Sequence, residues 1–151
     1  MKRRLPILAI LLICWIVAGN YCVPAQAADT STVVSYFADG SYLVTTITSN
    51  TQSNEFERST KSGTKQQDYY NSSRELMWTF RVQGTFSYDG RSAKATFADY
   101  SYDIYNSAWS FDSASASYSG ATATATGTFD FFGVSIPASV SLTCSPKGTL
   151  S

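Results

Sequence analysis

The 151-residue chain carries 11 basic and 11 acidic side chains, no histidine, and 44% apolar residues. That length and apolar share suit one folded domain, and the balanced charge leaves no basic field to hold nucleic acid or anionic lipid. Without histidine, Ser-His-Asp and Cys-His catalysis and imidazole zinc sites are removed.

The first 27 residues read as a signal peptide. Lys2, Arg3 and Arg4 precede an apolar run from Leu5 to Ala18, and Ala25-Gln26-Ala27 closes the stretch with the small-x-small pattern of a cleavage site. Fourteen residues at about 1.5 Å each reach roughly 21 Å, short of the ~30 Å hydrocarbon core. Cys14 follows Ile13 and Cys22 follows Tyr21, so neither has the small neighbour of a lipidated cysteine. The expectation is a secreted protein, cleaved after Ala27, with residues 28–151 forming one domain that is not embedded in a membrane. Removing Lys2, Arg3 and Arg4 leaves 8 basic against 11 acidic residues, a net charge of −3.

Strand signals follow at short intervals, with turn residues between them. SYLVTTIT, from Ser41 to Thr48, comes after an Asp39-Gly40 turn. Beyond Ser49 and Asn50 a polar segment reads first as an exposed loop. From Arg58 to Tyr70 it reads as an edge strand whose lysines discourage edge pairing. Asn71-Ser72-Ser73 turns into ELMWTFRVQGTFSYDG, where Leu76, Trp78, Phe80, Val82, Phe86 and Tyr88 share one parity. Asp89-Gly90 predicts a hairpin with positive φ at both residues. The return strand sets Ala93, Ala95 and Phe97 on one side. DYSYDIYNSAW leads into a strand from Ala108 to Tyr118, broken at Gly120. ATATATGTFDF and, past Gly133, VSIPASVSLTC complete the series. Pro137 marks that last strand as an edge or a bulge.

Six or seven alternating strands and no 3.6-residue period predict an all-β, two-layer antiparallel β-sandwich, with Trp78 and Phe80 between the sheets.

Four features bear on chemistry. Asp99, Asp103 and Asp112 are the densest acidic cluster and the candidates for a carboxylate-dependent, glycan-acting enzyme. Tyr100, Tyr102, Tyr105 and Trp109 form an aromatic strip. Tyr100 and Tyr102 fall opposite Ala95 and Phe97, which predicts an exposed face for stacking on sugars or anchoring a protein. Threonines 122, 124, 126 and 128 beside Ser113, Ser115 and Ser117 read as a solvated hydroxyl face on two strands, too narrow for ice. Asn71-Ser72-Ser73 matches a glycosylation sequon. Tyr70-Asn71-Ser72 is echoed at Tyr105-Asn106-Ser107, 35 residues later, each preceding a tryptophan strand. Once the leader is removed, Cys144 is a lone cysteine: a buried apolar residue, an intermolecular disulfide, or a bridge lacking its partner. The predicted sites contain no metal, no cofactor and no catalytic residue.

ADGSYLVTTI, RSTKSGTKQQDYYNSSRELMWTFRVQGTFSYDG, YNSAWSF, SYSGATATAT and VSLTCSPKGTLS, in that order, resemble a family of small secreted proteins from Gram-positive bacteria, a domain of unknown function. The resemblance spans Ala38 to Ser151 and implies an exported β-domain without an assigned activity. It also implies a second cysteine where this chain has Ala95, making Cys144 the remnant of a lost disulfide that faces Ala95. The resulting expectation is a non-catalytic extracellular binding or surface-interaction domain, with cell-wall glycan or a surface protein as partner. The alternatives are a secreted antagonist of bacteriocin type and the carboxylate enzyme.

Overall fold

The computed structural model describes residues 29–52 and 59–151; the predicted signal peptide and its cleavage site lie outside them. Eight strands run in chain order: β1 Asp29–Tyr36, β2 Tyr42–Gln52, β3 Ser59–Tyr70, β4 Leu76–Tyr88, β5 Ala93–Ile104, β6 Trp109–Ser119, β7 Thr122–Phe131 and β8 Val134–Thr143. Strands β1 to β5 pair in sequence as a five-stranded antiparallel sheet, and β6 to β8 as a three-stranded one. The protein is therefore an all-β double layer, with a single passage between sheets at residues 105–108. No helix among the described residues is long and apolar enough to cross a membrane.

The dry faces meet where the alternation is strictest. Trp78 is 4% exposed, and Phe80, Val82 and Phe86 are wholly buried. Ala123, Ala125, Phe129, Val140 and Leu142 of the smaller sheet close over them. Small residues set the spacing: a Cβ on Gly127 would lie 3.0 Å from Phe80 Cζ, and one on Gly84 would lie 3.0 Å from the Ala123 Cβ.

Four expectations need correction. The strands number eight, because β1 adds a strand that shows no apolar–polar alternation. With β1 and β2 outside it, β3 is interior rather than an edge. The Asp89-Gly90 turn has positive φ at Gly90 alone; the Asp89 carboxylate instead accepts from the amides of Arg91 and Ser92 at 3.0 and 2.7 Å. Finally, the hydroxyl face spans three strands, not two. Thr124 meets Ser141 of β8 at 2.9 Å and Thr126 meets Ser115 of β6 at 3.2 Å, so neighbouring hydroxyls pair with one another. Pro137 does lie on the edge strand, β8.

A fifth difference matters most for function. The β4–β5 register shifts at Thr85/Phe86: Ala95 pairs with Phe86 but Phe97 pairs with Thr85, leaving Thr96 as the extra residue. One extra residue moves everything after it to the opposite face. Phe97 thus turns outward, 47% exposed, and Tyr100 and Tyr102 turn to the face of Val82 and Phe80, where Tyr100 is half-buried and Tyr102, on the edge strand, stays 41% exposed. A second bulge, at Met77 in β4, buries Met77 and leaves Leu76 only half-buried.

Candidate functional site

The register shift divides the predicted strip: Tyr102 and Tyr105 are exposed, at 41% and 55%, while Tyr100 and Trp109 are not. Tyr102 stacks on Phe111 at 3.7 Å and meets Phe129 edge-on at 6.5 Å, while Tyr100 is half-buried near Phe80. Trp109 is only 7% exposed; Tyr105, at 55%, is in the open. These four rings do not form one surface.

The acids do not converge either. Asp99 and Asp103 are exposed on the outer face of β5, four residues apart, or about 13 Å along an extended strand. Paired glycosidase carboxyls need roughly 5–9.5 Å. Asp103 binds Arg81 at 2.6 Å, and Asp112 occupies a bulge in β6, in the other sheet. Among the described residues no group of three or more His, Cys, Asp or Glu is arranged to hold a metal.

What the fold builds instead is a cleft of ≈ 570 Å³ between the inner face of β2–β3 and the free side of β8. Leu43, Gln67 and Tyr69 form one wall and Ile136, Pro137 and Ala138 the other, with Trp78 and Trp109 at the base. Each ring arrives by its own route. Tyr69 is the register neighbour of Trp78 and stacks on it at 5.3 Å, 18° from parallel. Trp109 is delivered by the turn at Asn106, whose side chain accepts from the Ala108 amide at 2.9 Å and whose carbonyl accepts from Trp109 N at 3.0 Å. The echoed Asn71 caps its own turn in the same way, accepting from the Glu75 amide at 2.9 Å. Its amide nitrogen, the atom of the sequon, donates to Glu75 at 2.7 Å. Trp109 then meets Tyr69 and Trp78 edge-on at 5.4 and 6.2 Å.

Two donors in this cluster are unmatched. The indole N–H groups of Trp78 and Trp109 are buried and have no acceptor among the described residues. Each such group costs about 1–3 kcal/mol, and native folds hold few of them. At the rim, Asp39 bonds the Ser41 hydroxyl at 2.6 Å and its amide at 3.0 Å, which holds the carboxyl below its ordinary value. It is an ionised turn cap, not an acid. Burial pushes the Cys144 thiol upward, and the thiol is 1% exposed, so it is protonated and inert at neutral pH.

Beside the cleft, at the β7–β8 turn, Phe132 has φ +51° and is 79% exposed, with Val134 at 61%. Of the cleft residues, sequence reasoning singled out Trp109 alone as a binding residue. Trp78 was placed in the core and Tyr69 in an edge strand. Their convergence has no local signature, because the three rings come from different strands. Comparison with protein-family models, curated proteins and solved structures gave no match.

Proposed function

We propose that this protein is a non-catalytic extracellular binding domain whose ligand enters the cleft over Tyr69, Trp78 and Trp109. The observation that supports the reading is the pair of buried indole donors lacking acceptors in the base of one apolar cleft. A binding pocket of this kind combines apolar walls with a few convergent polar groups. A ligand oxygen reaching either N–H, after a small ring rotation, relieves part of the burial cost. Export is supported by the leader, Met1–Ala27, and by the resemblance to secreted Gram-positive proteins. Cell-wall glycan and surface protein remain the partner classes to test.

Labelled mature protein, residues 28–151, is applied to a cell-wall glycan array and to whole cells. Trp109→Phe keeps the ring and removes the N–H; it should weaken binding several-fold while the melting temperature barely moves. Tyr102→Ala should bind like the parent. The opposite pattern would return the site to the Tyr100–Tyr105 strip.

The antagonist reading is favoured by one observation, the exposed apolar tip at Phe132 and Val134. It expects dye release from phosphatidylglycerol vesicles that Phe132→Ser abolishes; vesicles left intact by the parent protein remove it.

A further inference from the structure

The sheets differ by two strands, and the deficit falls beside β8. The backbones of β1 and β2 approach no strand of the smaller sheet, and that of β3 approaches only β8. The inward residues of β2 and β3, among them Leu43, Ile47, Lys65 and Gln67, therefore face a gap where a fourth strand of the smaller sheet would lie, one ~4.8 Å spacing beyond β8.

The chain itself occupies the first rung of that absent strand. Past a turn at Ser145–Thr149, Ser151 exchanges both backbone hydrogen bonds with Thr143, at 2.9 and 3.0 Å, on the side of β8 away from β7. Leu150 forms an antiparallel bridge with Cys144 and lies over Gly63, where a Cβ would meet Leu150 Cδ1. By the two-residue period of the ladder, Ser141, Ser139, Pro137 and Ser135 turn their backbone groups toward the same gap as Thr143. Pro137 removes one donor from this row, and the amides of Ser139 and Ser141 have no strand beside them.

Charge indicates what fits. Lys61 and Lys65 lie on the inward parity, opposite Phe86 and Val82 in register. The Lys61 charge acts on the buried Cys144, as expected of a side chain on that face. Among the described residues the one ion pair is Arg81 with Asp103, so both ammonium groups line the gap without a counter-charge. The far end of the gap is the aromatic cleft. We propose that the gap takes an extended acidic peptide by strand addition to β8. The peptide continues the rung begun by Ser151 and runs antiparallel to β8, with a carboxylate over Lys65 and a bulky apolar side chain entering the cleft. Main-chain bonds supply affinity and alternate side chains supply selectivity, as in other edge-strand recognition. This rests on the cleft being the binding site and goes further by naming the ligand.

The probe is acetyl-Glu-Thr-Glu-Thr-Phe-Thr-amide, whose inward-facing residues are the two glutamates and the phenylalanine. It should bind roughly tenfold tighter than its Lys-for-Glu counterpart, and Lys65→Glu should reverse that preference. Binding should slow hydrogen exchange at Ser139 and Ser141, and backbone N-methylation of the peptide should abolish both effects without altering the protein. A preference untouched by Lys65→Glu, or unchanged exchange at both serines, overturns strand addition. Polygalacturonate, an anionic glycan, separates the two readings. Tryptophan emission shifted by the glycan but not the peptide sinks the peptide and spares the cleft. Emission moved by neither removes both.

Discussion

β4 and β1 have the same backbone conformation and opposite surroundings. Strand β4 is paired on both sides and roofed by the smaller sheet, so six of its side chains have 4% exposure or less. Strand β1 is paired on one side only, and every side chain from Thr30 to Tyr36 is exposed. The contrast separates two things a strand requires. A ladder with one neighbour suffices to shape it, whereas burial anchors it. The uncovered region is also the one that keeps a cleft, an open edge and unpaired lysines.

The largest test compares one ring from each region. Phe80→Ala should destabilise the protein by about 3–5 kcal/mol, the usual cost of emptying a core aromatic site. Tyr36→Ala, at a position 76% exposed that touches Tyr42 at 5.4 Å, should cost about 0.5 kcal/mol or less. Urea unfolding of both variants measures the difference. Comparable costs would mean that β1 is anchored after all.

A second test stays in the roofed region. Ala95 is fully buried and its amide donates to Gly120 O at 2.8 Å; the Cys144 amide donates to the adjacent Ala121 O at 2.9 Å. The proposed lost bridge then predicts that Ala95→Cys oxidises spontaneously and gains about 2–4 kcal/mol. Thiol titration under denaturing conditions should find no free sulfhydryl. Two titratable thiols would discard the bridge.

The third probes the border between regions. A Cβ at Gly63 meets Leu150 Cδ1 and lies 3.0 Å from the Thr48 carbonyl, so Gly63→Val must displace the tail. We expect about 1–3 kcal/mol of destabilisation, with faster exchange at Ser151 and Thr143. An intact tail in that variant would contradict the packing.

The same contrast explains what the sequence could convey. Trp78, Phe80 and Val82 were legible because a roofed strand needs a dry face, and a dry face imposes period two. Strand β1, DTSTVVSY, has no such face, and Val33 beside Val34 breaks alternation. The facing of the aromatic strip was obscured for another reason. Thr96 looks like any strand residue, yet as a bulge it inverts the parity of Tyr100 and Tyr102. Periodicity registers a facing only until a residue is inserted. The cleft was still less legible, since its rings meet only once the two sheets close.

The smallest effect lies at the cleft rim and has a definite sign. Two hydrogen bonds from Ser41, hydroxyl and amide, stabilise ionised Asp39 and lower its pKa from the ordinary 3.8. A carboxyl with a depressed folded pKa contributes its stability above that ordinary value and loses it as pH falls through the folded one. The Phe37–Ser41 turn should therefore loosen only in acid, below the pH at which an unfolded aspartate protonates. Ser41→Ala removes the larger cause and should move the Asp39 titration, followed by carboxyl carbon NMR, back toward 3.8. The turn belongs to the open region, so its loosening should leave the Trp78 and Phe80 environment untouched. Simultaneous loss of both would show that the turn and the core unfold as one unit, and the two regions would no longer be separable.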